Sequence, residues 1–347
     1  MRVAAIDQGT TSTRCLVIED GGTWRMAASL RHGRHHPAPG WVEQDAEELL
    51  RNADVAMYMA KRDSKGSYRL FEPAMHERVL ERLELQAELQ RALELHQLEV
   101  YYQPVVRLDT HHPNHGVEAL LRWNHPQRGI VPPLQFIPLA EETGLIVPIG
   151  AWVLREACRQ GVALHQRFPR PQPLMISVNL SAKQLQSESI VRDVADALAF
   201  SGLDPSTLVL EITETVMMTD SDVAIARLND LKALGVRVAL DDFGTGYSSL
   251  SYLSRLPVDI LKMDRSFLAG DGDATLAAAI IAIGDRLGLE VVAEGIERED
   301  QSDSLRDLGC QLGQGFLFAR PMTEDALLQY LFQESPAPGE LVAGTAQ

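Results

Sequence analysis

"EVYYQPVVRLDTHHPNHGVEALLRW", residues 99–123, decides the architecture. It holds two apolar runs, 99–106 and 115–123, separated by only "RLDTHHPN". A parallel crossover between neighbouring strands takes about a dozen residues or more, so the first run turns back and pairs antiparallel with the second. Downstream the theme recurs without the hairpin. "LMISVNLS" (174–181), "LVLEITET" (208–215), "RVALDD" (237–242), "DILKMD" (259–264), "EVVAEGIE" (290–297) and "QGFLFARP" (314–321) are short apolar runs carrying polar or acidic residues towards their ends. Amphipathic stretches such as "PIGAWVLREACRQGVALHQRF" and "SDVAIARLNDLKALG" separate most of them. Near-continuous apolar strands alternating with helices indicate a parallel sheet covered by helices. Eight such strands predict an α/β fold, a modified (β/α)8 TIM-like barrel with one antiparallel strand.

In barrels of this kind the chemistry sits at the C-terminal strand ends. There this chain gathers Glu118, Asn179, Glu211, Asp241, Asp242, Lys262, Glu294 and Gln314. The tandem Asp241–Asp242 at the exit of an apolar strand is the sharpest case, because adjacent carboxylates repel and resist burial unless a cation neutralises them. A lone strand-end acid is more often a helix cap or a surface charge, and Asp242 is the weakest member on that view. Lys262 alone reads equally as a salt-bridge partner. Convergence from seven strands is harder to dismiss. Oxygen ligands of this type suit Mg²⁺ or Mn²⁺ rather than zinc, and two ions about 3.5–4 Å apart form a hydrolytic phosphate site.

The rest of the chain sets bounds. Its 347 residues are 45% apolar, enough for a sizeable core. A formal charge of −16 argues against nucleic acid or anionic membrane as the main partner. Cys15, Cys158 and Cys310 lie far apart, which suggests a reducing compartment and no zinc site. "MRVAAIDQG" lacks the pattern of a signal peptide, and "ATLAAAIIAIG" is too short to span a bilayer, so a cytoplasmic location is expected; a full-length version could carry further regions. Residues 1–46 contain the strands "RVAAID" and "CLVIED" and a His/Pro-rich stretch with His32, His35 and His36 that reads as a solvated loop. Residues 47–75 read as a helix and a short strand, 76–98 as one long helix, and the Pro/Gly/Ala-rich tail 334–347 as disordered.

"YYQPVV", "EALLRW", "NLSAKQL", "LEITET", "DDFGTGYSSL", "LKMDRSF", "AEGIE" and "GQGFLFARPM" together resemble the EAL domain family, over roughly residues 84–333. The resemblance implies a barrel with one antiparallel strand and either metal-dependent hydrolysis of cyclic-di-GMP to linear pGpG or, in degenerate members, binding without cleavage. By motif, Glu118, Asn179, Glu211 and Asp241 are similar to ligands of a first metal ion, and Asp242 to the ligand of a second. Lys262 resembles the lysine that holds the attacking water, and Glu294 the general base or second-metal partner. Gln103, Leu121, Arg122, Glu297 and Gln314 resemble substrate contacts, and Glu214 the anchor of the loop 242–249. The family also implies a homodimer near that loop. An intact set of these residues favours catalysis over binding alone.

"AIDQGTTSTRCLVIED" with "HPAPGWVEQD" resembles the start of FGGY sugar kinases, glycerol kinase most closely. "AEELLRNADVAMYMAKRDSKGSYRLFEP" resembles the last helix and strand of a GGDEF diguanylate cyclase domain. Neither fragment is long enough for its own fold. The expected organisation is therefore an FGGY-like fragment (1–46), a GGDEF remnant (47–76), an entry helix (77–98), the EAL domain (84–333) and the tail. Residues 1–46 are expected to be poorly packed. An ATP-dependent sugar kinase is the third functional reading, and glycerol-dependent ATP consumption would reveal it.

Overall fold

The structure, a computed structural model, describes residues 3–8, 12–18, 24–31, 52–53, 55–56, 73–109, 114–214, 221–244, 253, 255–268 and 274–333. Most of 47–75, the tail 334–347, the packing of residues 1–46 and all but the start of the loop 242–249 lie outside the described residues.

Two units divide the chain, residues 1–89 and 90–347. The first holds an antiparallel meander of β1 (Val3–Gln8), β2 (Ser12–Ile18) and β3 (Trp24–Arg31). The third strand is absent from the sequence expectations, because polar and apolar residues alternate only over its first three positions. Helix α1 (Pro73–Ala92) carries the chain onward and stops earlier than the expected 98. The Gln97 N–H returns to Ala92 O at 2.9 Å, His96 takes a φ of 53°, and Leu98 is already paired with Trp123.

The second unit is a closed barrel. Its staves, in order, are β4 (Leu98–Arg107), β5 (Asn114–His125), β7 (Met175–Leu180), β8 (Leu208–Thr213), β9 (Arg237–Phe243), β10 (Ile260–Met263), β11 (Glu290–Ala293) and β12 (Leu312–Gly313), which closes on β4. The strand β6 (Gly129–Val131) adds to β5 outside the ring. As the short connection requires, β4 is antiparallel to both its neighbours, while β5, β7 and the later staves run parallel. Val105, Val209, Ala239, Ile260, Val292 and Leu312 form one buried cluster inside the barrel, supplied by six different staves. Each of the valine, isoleucine and leucine side chains contributes about 1.5–3 kcal/mol by leaving water, and the Ala239 methyl less.

Helices clad the staves: α2 (Pro133–Thr143), α3 (Ile146–Arg167), α4 (Ala182–Gln186), α5 (Ile190–Ser201), α6 (Ser221–Ala233), α7 (Ala274–Leu287), α8 (Glu299–Asp307) and α9 (Glu324–Gln333). The longest, α3, buries Ile146, Ile149, Val153, Ala157 and Leu164 along one stripe. Just past β7, "SAKQ" makes a reciprocal cap: Ser181 Oγ accepts from the Gln184 N–H and Gln184 Oε1 from the Ser181 N–H, each at 3.2 Å. That cap turns the chain sharply after Asn179.

One expected stave is misplaced. "QGFLFARP" (314–321) is a turn rather than a strand, and the eighth stave is the two residues before it, Leu312–Gly313. The Phe318 and Ala319 N–H groups fold back on Gly315 O, and the Leu317 N–H donates to Ile296 O. A side chain at Gly315 would strike the Ile296 backbone, its carbonyl carbon included at 2.6 Å. Replacing Gly315 with alanine is therefore expected to cost about 1–3 kcal/mol from overpacking, read as a lower thermal midpoint, whereas an unchanged midpoint would show that the contact yields freely.

Candidate active site

Seven staves deliver the expected residues to one mouth. Glu118, Asn179, Glu211, Asp241 and Lys262 stand on β5, β7, β8, β9 and β10, and Glu294 and Gln314 immediately follow β11 and β12. The reversed stave contributes Gln103, which lies directly opposite Glu118 in the β4–β5 register.

Lys262, 2% exposed, sits at the centre. Its Nζ lies 2.6 Å from Glu211 Oε2 and 2.6 Å from Glu294 Oε1, with Asp241 Oδ1 at 3.4 Å and Glu118 Oε2 at 3.7 Å. Glu118 is held on both oxygens: Asn179 Nδ2 donates to Oε1 at 2.7 Å and Gln314 Nε2 to Oε2 at 2.7 Å. Gln314 Nε2 also reaches Gln103 Oε1 at 3.2 Å, and Gln103 Nε2 donates to Ala319 O at 3.1 Å. The network ties the three amides together and holds both oxygens of the glutamate.

The tandem aspartates converge through a break in strand alternation. Successive side chains of a strand point to opposite faces. Between the Leu240–Leu261 and Phe243–Met263 pairs the register shifts, so Asp241 and Asp242 both stand opposite Lys262. Asp242 takes φ 55°, a left-handed conformation that aspartate tolerates better than most residues. Oxygens of Asp241, Asp242 and Glu294 consequently lie within 4.8 Å of one another.

Among the described residues the charge in the mouth is unbalanced: the Lys262 ammonium faces four carboxylates, and Arg265 is the one further cation lining the cleft. Burial alone would lower the Lys262 pKa, but Glu118, Glu211, Glu294 and Asp241 drive it well above its usual value. Burial raises Glu211 well above the carboxylate range despite Lys262. For Glu118 burial also pushes upward, yet Lys262 and the bonds from Gln314 and Asn179 win and hold it low. Burial raises Glu294 to about 7, against the pull of Lys262. Asp242 is raised by burial and by Asp241 beside it. Surplus negative charge, an oxygen-only donor set and a buried Gln314 Oε1 without a hydrogen-bond partner among the described residues fit a hard divalent cation.

Gln103, Glu118, Asp241, Lys262, Glu294, Glu297 and Gln314 line one cleft of about 230 Å³. Leu121 and Arg122 instead line an adjoining hollow of about 510 Å³ that shares Leu120 with the cleft and also touches Asn179. The Arg122 guanidinium lies 5.5 Å from the Tyr101 ring centre and donates to Leu121 O at 2.9 Å. Glu214 is half-buried just past β8, with Oε2 lacking a partner among the described residues; most of the loop it is expected to anchor lies outside them. Arg265 and Phe316 line the cleft without having been singled out in the sequence. Arg265 follows β10 closely, so the strand-end rule that selects the acids would have found it.

The EAL domain family profile matches residues 86–321, and the chain belongs to that family. It is 50% identical over 289 residues to the bifunctional diguanylate cyclase/cyclic di-GMP phosphodiesterase MucR of Pseudomonas aeruginosa, an alignment covering 82% of this chain and 42% of that protein. With the cyclic di-GMP phosphodiesterase PdeR of Escherichia coli it shares 39% identity over 282 residues, covering 80% of this chain and 42% of PdeR. The chain thus spans about two fifths of the length of these curated relatives. Among solved structures, a PaMucR phosphodiesterase in complex with c-di-GMP superposes with a TM-score of 0.66 at 48% identity, covering 70% of this chain and 99% of that one. No helix among the described residues is long and apolar enough to cross a membrane.

Proposed function

We propose that this chain hydrolyses cyclic-di-GMP to linear pGpG using two divalent cations, Mg²⁺ or Mn²⁺. The observation that carries the reading is the buried Lys262 inside a ring of four carboxylates, an arrangement short of positive charge among the described residues. The names of the relatives and the c-di-GMP complex of a similar structure support the substrate.

Glu118, Asn179, Glu211 and Asp241 would hold one cation, and Asp242, with Asp241 and Glu294 beside it, the other. When bound, the cations neutralise the phosphodiester oxygens and make water easier to deprotonate. Lys262 holds the attacking water. Glu294, whose Oε1 lies 2.6 Å from Lys262 Nζ, accepts its proton. The water oxygen bonds to one phosphorus, the bond from that phosphorus to the 3′ oxygen breaks, and the freed oxygen takes up a proton. Gln103, Leu121, Arg122, Glu297 and Gln314 orient the dinucleotide, the Arg122 guanidinium offering charge-assisted donors to phosphate. Glu214 anchors the loop 242–249.

Residues 1–46 are read as an FGGY-like fragment and 47–76 as a GGDEF remnant. The 289-residue alignment to a diguanylate cyclase/phosphodiesterase extends beyond 86–321, which supports the second assignment. A homodimer and a cytoplasmic location complete the proposal. Incubation with cyclic-di-GMP should release pGpG with Mg²⁺ or Mn²⁺ and stop when EDTA is added. Tight binding without pGpG would make the chain a receptor instead.

A further inference from the structure

The turn Arg265–Leu268 after β10 is wedged between the chain just past β9, which carries Asp241 and Asp242, and the turn after β11, which carries Glu294. Phe267 lies against Gly244, where a side chain would collide with its ring, and Arg265 lies against Gly295 in the same way. Gly244 closely follows Asp241 and Asp242, and Gly295 adjoins Glu294. Both glycines have positive φ, 94° and 69°, so the close approach is built into the backbone.

Gln301, near the start of α8, ties this wedge down. Its Oε1 accepts from the Glu297 and Arg298 N–H groups at 2.9 and 3.0 Å, and its Nε2 donates to Leu268 O at 3.2 Å. The two accepted bonds satisfy helix-start donors, as a capping glutamine does. The donated bond serves no cap, because it joins residues 33 apart in the chain.

We propose that Gln301 is a positioning residue for the acid cluster: by stapling the wedge Arg265–Leu268 to the turn after Glu294, it fixes the spacing between Glu294 and the Asp241–Asp242 pair. The inference rests on the reading of those acids as cation holders. Residues outside a metal's direct ligands commonly change its affinity by about 10–100-fold.

Gln301→Glu separates the cap from the staple. It keeps an acceptor for both N–H groups and adds a favourable charge at the start of α8, but sets a carboxylate against Leu268 O. The measurement is Mn²⁺ titration calorimetry on the substrate-free chain, with thermal midpoints and steady-state kinetics alongside. Gln301→Glu should lower the midpoint less than Gln301→Ala does, lower Mn²⁺ affinity about tenfold, and reduce kcat far more than it changes KM. The added negative charge would by itself tighten Mn²⁺ binding, so the expected fall is opposite to the simple electrostatic effect. Gln301→Ala should lower both midpoint and affinity. Affinity in Gln301→Glu equal to or above the wild type overturns the proposal. A wild-type chain that binds Mn²⁺ yet releases no pGpG refutes the hydrolase reading and leaves the affinity comparison to decide this one. A wild-type chain that binds no Mn²⁺ overturns both.

Discussion

Glu118→Gln is expected to reduce cyclic-di-GMP hydrolysis roughly a thousandfold, the upper end of what removing one preorganised electrostatic contact costs. Glu118 is 6% exposed and accepts on both oxygens, from Asn179 and from Gln314, with Lys262 close to the second. Glutamine matches its size but must turn an NH₂ towards one of these donors, leaving two donors face to face at a cost of about 1–3 kcal/mol. It also removes a negative charge from the proposed cation site. Steady-state release of pGpG at saturating Mn²⁺ decides the matter. A variant within tenfold of wild type would mean that Glu118 is a structural acid and that the chemistry lies elsewhere.

Lys262→Met should have the largest effect on stability. It leaves Glu211 and Glu118 buried with no cation, and Glu294 and Asp241 beside them. Breaking a buried pair by removing one partner costs about 3–5 kcal/mol, which for a domain of this size lowers the midpoint on the order of 10 °C in EDTA. Turnover should vanish as well. Added Mn²⁺ should recover part of the midpoint, because a cation that binds only the folded state stabilises it by mass action. A midpoint equal to wild type in EDTA would show that the carboxylates simply take up protons and that Lys262 is dispensable to the fold.

The parts of the molecule readable from sequence are those encoded in spacing. The short link between two apolar runs forces the reversed stave, since no crossover fits in it. Acids at the ends of apolar runs point to the mouth because a strand's final residue emerges there. Features made by backbone approach are not readable in this way. "QGFLFARP" has the composition of a strand, yet Gly315 brings two turns into contact and the run curls up. Asp241 and Asp242 are both expected at the mouth, but the register shift and left-handed residue that bring them together there are encoded by no pattern of side-chain types. Gln301 is one polar residue in an acidic helix start, and only its partners distinguish it.

The backward stave alters where the polypeptide enters. In an all-parallel barrel each strand starts at the floor, remote from the reacting end. Here β4 starts at the rim: Leu98 pairs with Trp123 and Glu99 with Arg122. A pull on the main chain ahead of Leu98 therefore arrives first at the edge where Arg122 and Tyr101 stand, and reaches the floor only afterwards.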